Sequence, residues 1–161
     1  MAEAFLNPKF LQELDLFVAQ NYVEDNTLIA KGPVEEAEIY VKENRKSFIE
    51  TLNEMLKKFN ESQKDKLDDV ALYRKANISK QTYSKIRAKD RPSKDSAVCC
   101  ALALELCISD MDLLLASAGW SLATNSKRDL ILRFCFKQSI HDYSHVCEIL
   151  REKKEKLFRN L

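Results

Sequence analysis

The sequence predicts an all-α protein, and three observations carry that prediction. Two glycines and three prolines in 161 residues are too few for the turn-dense chain of a sandwich or barrel. Hydrophobic residues make up 45% of the chain and repeat at helical spacing. Ser, Asp or Asn stands ahead of one apolar stripe after another, where the first amides of a helix need a side-chain acceptor. A chain of this length buries a sizeable core without a disulfide or metal staple.

Asn7-Pro8 opens the first expected helix, and Phe10, Leu14, Phe17 and Val18 give it one apolar stripe. The period is lost over 21–33, which ends in Gly32-Pro33. Glu35, Glu36 and Glu38 then suit the first turn of a second helix over 34–43. Ser47 and Glu50 form a capping box ahead of Phe48, Leu52, Met55, Leu56 and Phe59, which sets the main boundary at 43–47. Polar residues 60–66 read as a loop. Asp68 and Asp69 open a short helix through about Ala76, Asn77 suits a left-handed turn, and Ser79 caps a helix to about Ala88. Ser93 caps the apolar segment 94–107, and Ser109-Asp110 caps a helix ending near Gly119. Residues 130–136 (LILRFCF) suit a buried helix or a strand. A last helix begins near Asp142 and carries Val146, Ile149, Leu150 and Leu157. The expected organisation is an N-terminal helical extension at 1–45, a five-helix domain at 46–122 and C-terminal helices at 123–161.

The formal net charge of +1 conceals a local asymmetry. Eight Lys and Arg lie between Leu72 and Lys94 against the single acid Asp90, whereas residues 1–45 hold nine acids and four bases. A localised basic stretch is what an anion-binding face needs. Within it, the helix expected over 79–88 has an apolar side, Tyr83 and Ile86, and a polar side, Lys80, Gln81, Thr82, Ser84, Lys85 and Arg87. Side chains of this kind can reach base edges in the major groove: Gln bonds adenine in pairs, Lys bonds guanine or phosphate, Thr touches a thymine methyl. Ser79 starts that helix, Arg74 and Lys75 precede it, and Lys89, Arg91 and Lys94 follow it as candidate phosphate contacts.

Residues 72–93, LYRKANISKQTYSKIRAKDRPS, resemble without a gap the Xre family of phage lambda repressor and Cro-like DNA-binding domains. Leu72 stands at the anchor of the first helix, Ala76-Asn77-Ile78-Ser79 at the turn, and Tyr83 and Ile86 at the inward positions of the second helix. The stretch KDSAVCCALALELCISDMDLLL looks like the family's last helices. The motifs YRKANI, YSKIRA, PSK, ALALEL and SAGWSL look closest to an accessory module that follows macrodomains in some bacterial proteins. The resemblance implies a five-helix helix-turn-helix domain that binds double-stranded DNA as a transcriptional regulator, commonly as a homodimer. Tyr73 and Asp69 stand where that family usually has Ala and Gln, and together with the charge of Asp68 they support a second reading: a protein-interaction module on the same scaffold, docking an acidic partner.

Catalysis has no residue pattern to rest on, because the chain lacks a nucleophile-base-orienter set, a phosphate-cradling glycine loop and paired carboxylates in an apolar setting. No cofactor is expected. Five cysteines without a CxxC motif fit reduced core thiols in a cytoplasmic protein. His141, His145 and Cys147 lie close enough for a zinc site, but Asp142 is expected to cap the helix and leave His141 outside it. No apolar run is long enough to span a membrane, and the amino terminus lacks a signal-peptide pattern.

Overall fold

The computed structural model describes residues 6–23, 46–63 and 66–159. Among them the chain forms eight helices and no strand: α1 (Pro8–Asn21), α2 (Phe48–Ser62), α3 (Asp69–Lys75), α4 (Lys80–Arg87), α5 (Lys94–Ala103), α6 (Ile108–Ser117), α7 (Lys127–Lys137) and α8 (Tyr143–Glu152). The helix expected over 34–43 lies outside the described residues. None of the described helices is long and apolar enough to cross a membrane.

Local chemistry sets the helix ends. Asn7, Ser47, Asp68, Ser79, Ser93, Ser126 and Asp142 each accept the amide three residues on, satisfying a donor the helix itself leaves orphaned. Helix α6 differs: it starts at Ile108 behind Cys107, without a side-chain cap, so Ser109 and Asp110 lie inside its first turn instead of ahead of it. There the Asp110 carboxylate favours the positive end of the helix dipole. From α3 to α8 every helix ends the same way. The residue after the C-cap takes a left-handed conformation, at Asn77, Lys89, Glu105, Gly119, Ser139 and Lys154 in turn, and the next amide returns to a carbonyl five residues back.

Three expected boundaries move for identifiable reasons. Helix α2 continues through 60–62 because Asn60 clamps the following strap, donating to Leu67 O at 2.9 Å and accepting from Leu67 N at 2.7 Å. Helix α5 stops at Ala103, short of 107, because Glu105 turns left-handed and the Leu106 amide bonds back to Ala101 O. Helix α8 stops at Glu152, so Leu157 lies beyond it and is 38% exposed. Residues 130–136 are helical. Leu130, Ile131, Leu132, Phe134, Cys135 and Phe136 are all buried, so α7 is apolar on nearly every side and carries no amphipathic period to tell helix from strand.

One core runs from Leu14 to Leu150. Helix α5 lies inside it, with every residue from Ser96 to Ala103 buried, and packs on α3, α6 and α8. Helix α7 receives α1, α6 and α8, while α2 packs on α6. Phe10 and Phe17 of α1 meet Phe134 of α7 at ring separations of 5.7 and 5.3 Å. Within residues 46–120, Leu52, Leu72, Ala76, Ile78, Tyr83, Ile86, Leu102, Leu106 and Leu114 are buried and Leu56 is partly so. Removing one of the larger, as in Leu72→Ala, costs about 2–5 kcal/mol in such a setting.

Two acids are buried with their counter-charges. Asp112 of α6 takes both guanidinium nitrogens of Arg133 of α7, at 3.0 and 3.2 Å. Asp129 of α7 accepts from Lys94 Nζ at 2.5 Å and from the Ala123 amide at 2.8 Å. Either carboxylate would be costly there without its partner.

Candidate nucleic-acid interface

The site is built on α3, a tight turn and α4. Ala76 is small and buried, Asn77 turns the chain at φ 59°, and the Ile78 amide returns to Tyr73 O, which drives Ile78 into the core. Helix α4 then packs chiefly on α3, burying Tyr83 and Ile86; the rings of Tyr73 and Tyr83 lie 5.5 Å apart. Ser79 caps α4 and its hydroxyl donates to Thr82 Oγ1 at 2.9 Å, so both residues serve the helix start and are half-buried.

Asp69 joins the two helices. Its Oδ1 accepts from the Tyr83 hydroxyl at 2.9 Å and lies 3.6 Å from Arg87 Nη1, which also donates to Asn53 Oδ1 of α2 at 3.2 Å. Burial, then the neighbouring Asp69 carboxylate, push the Tyr83 phenol well above its ordinary range.

On the side of α4 away from Tyr83 and Ile86, helical spacing aligns Gln81, Ser84 and Ala88 along one ridge with Lys80 and Lys85 to either side, all exposed. The side chains of Lys80, Gln81, Ser84 and Lys85 form no hydrogen bond or ion pair with any described residue. Arg74 and Lys89 are exposed in the same way at the flanks. The remaining candidates have partners within the chain. Lys75 pairs with Glu105 at 3.2 Å and lies over the Phe59 ring. Arg87 faces Asp69 and Asn53; Arg91 donates to Ala118 O and Gly119 O; Lys94 pairs with Asp129. The sequence names these cations but not their partners, all at least 16 residues away. Asn53, Glu105 and Asp129 carry no local signal of the role. Ala88 is legible as the third member of an i, i+3, i+7 ridge.

No group of three His, Cys, Asp or Glu among the described residues is arranged to hold a metal. His141 Nε2 lies 3.0 Å from Leu106 O, beside a cleft of about 490 Å³ lined by Met55, Phe59 and Asp110 among others. Cys99, Cys100, Cys135 and Cys147 are buried and Cys107 is exposed; all are free thiols. Burial pushes the Cys100 and Cys135 thiols up to about 12. In comparisons with known proteins, the chain matches no family model, no curated protein and no solved structure.

Proposed function

We propose that the protein is a non-enzymatic, cytoplasmic DNA-binding regulator in which α2–α6 act as a lambda-repressor-like helix-turn-helix domain and α4 enters the major groove. The observation that carries the reading is the outer side of α4: a ridge of small and amide side chains flanked by two lysines, none engaged within the described chain. A groove about 12 Å wide admits one helix, and small residues such as Ser84 and Ala88 let it approach the base edges. In this reading Gln81 bonds adenine, Lys80 and Lys85 bond guanine or phosphate, and Arg74 and Lys89 meet the backbone on either side. A homodimer on paired half-sites suits the scaffold, with 1–45 or 127–161 supplying the contact between copies.

Titration with mixed-sequence duplex DNA at several salt concentrations tests the proposal. If Arg74, Lys80, Lys85 and Lys89 all meet phosphate, affinity falls roughly a hundredfold between about 50 and 200 mM salt. Absence of salt-dependent binding refutes it. One observation favours a second reading: Asp68 and Asp69 at the amino end of α3 are both exposed, an unfavourable charge beside DNA. On that reading the same lysines dock an acidic protein.

A further inference from the structure

The loop between α4 and α5 carries Lys89, and one side chain ties that loop to the far end of α6. Arg91 Nε donates to Ala118 O at 2.7 Å and Nη2 to Gly119 O at 3.2 Å, while the guanidinium carbon sits 3.9 Å from the centre of the Trp120 ring. Trp120 closes the arrangement: its Nε1 donates to Pro92 O at 2.9 Å. Gly119, at φ +77°, leaves room for the guanidinium, since a Cβ there would lie 3.3 Å from Arg91 Nη2. An indole, two carbonyls and a glycine thus hold the guanidinium of Arg91, although the residue stays exposed to solvent.

Lys89, two residues earlier, takes φ 71°, a conformation disfavoured for any residue with a Cβ. The α4 terminus holds it there through Lys89 N to Ile86 O and Asp90 N to Lys85 O, both 3.0 Å. The side chain of Lys89 is exposed and has no partner among the described residues. Of the two loop cations, one is built into the protein and the other is presented by it.

We infer that Arg91 is a positioning residue of the DNA interface, a clamp that acts through Lys89 by fixing the loop that presents it. The inference rests on the DNA reading of α4. Against direct contact stands the guanidinium itself, whose face is covered by Trp120 and whose Nε and Nη2 are turned to backbone carbonyls.

Binding of duplex DNA across a salt series is compared for wild type, Lys89→Met, Arg91→Met, the double variant and Arg91→Lys. Lys89→Met should flatten the salt slope by about one. The double variant should bind no more weakly than Lys89→Met alone, because the clamp has nothing left to present. A slope lower by about two in the double variant shows two independent phosphate contacts and overturns the inference. Arg91→Lys keeps a cation that can meet phosphate but cannot fork to two carbonyls or stack as a plane, and it is the milder change should Arg91→Met not fold. The clamp predicts weakened binding for it; wild-type binding overturns the inference. Amide exchange of Asp90 gives a readout without DNA: release of the clamp should speed it about tenfold or more as the loop opens locally, and unchanged exchange also overturns the inference. If wild-type protein binds no duplex, the interface reading fails first and takes this inference with it. If wild type binds and the variants behave additively, only the clamp fails.

Discussion

Replacing Asp69 with alanine should cost more stability than replacing Tyr83 with phenylalanine, although the two changes remove opposite halves of one hydrogen bond. The Tyr83 hydroxyl belongs to a residue 4% exposed, whereas the Asp69 side chain is 51% exposed. Tyr83→Phe leaves a carboxylate that water still solvates and Arg87 still faces, so the loss is that of one net hydrogen bond, about 0.5–1.5 kcal/mol. Asp69→Ala strands the buried hydroxyl, about 1–3 kcal/mol. It also removes an acid from the first turn of α3, about 0.3–1 kcal/mol, and the exposed partner of Arg87, at most about 1 kcal/mol. The expected total is about 1.3–5 kcal/mol. Urea unfolding, followed through the single tryptophan, measures all four proteins of the cycle. The double variant should be more stable than the sum of the single losses predicts, because no hydroxyl is then stranded. Equal single losses, or strict additivity, would refute the role given to Asp69 at the joint of α3 and α4.

Other outcomes follow from the same geometry. On the DNA-binding function proposed above, Gln81→Ala or Lys85→Ala should remove a base contact, lowering affinity by roughly 1–3 kcal/mol for the preferred duplex and less for others, as a binding-site selection would reveal. Asp69→Asn keeps an acceptor for Tyr83 while removing a negative charge beside the interface, so DNA affinity should rise, most at low salt; no change in a low-salt titration would count against it. Cys100 and Cys135, raised from 9.0 to about 12, hold their protons more tightly folded than unfolded. Stability should therefore be level below about pH 9 and fall as pH rises from there toward 12, by up to about 1.4 kcal/mol per unit for each thiol; a flat melting temperature across that window would contradict their burial. A thiol reagent should label Cys107 first and the other four only on opening, which intact-mass measurement resolves.

The features legible in the sequence are those set within a few residues. Ser47, Asp68, Ser79, Ser93 and Asp142 declare their helices because capping is a contact between neighbours, and Asn77 declares its turn because few other residues take φ 59° readily. Ser126, with Asp129 three residues on, gives an equally local signal for α7, whose apolar surround hid its period. The end of α5 and the start of α6 are less legible: Glu105 and Cys107 are residue types that neither favour a left-handed turn nor cap a helix, and packing of Leu104 and Leu106 fixes them there. At the site, spacing alone assigned the two sides of α4. It could not separate Lys80, Lys85 and Lys89, which have no partner among the described residues, from Arg87, Arg91 and Lys94, because what distinguishes them is a partner brought from α2, α3, α6 or α7 by the fold.

The seating of α1 on α7 bears on the order in which the protein can be made. A chain leaving the ribosome exposes Phe10, Leu14, Phe17 and Val18 long before Phe134 and the rest of α7 exist to receive them, while α2–α6 already hold contacts mostly with near neighbours in sequence. Helix α1, made well before α7, is thus among the last of these helices to find its place, and closing so long a stretch carries an entropic penalty that only the finished α7 surface offsets. Until then the nascent protein trails an apolar strip of the kind that chaperones shield.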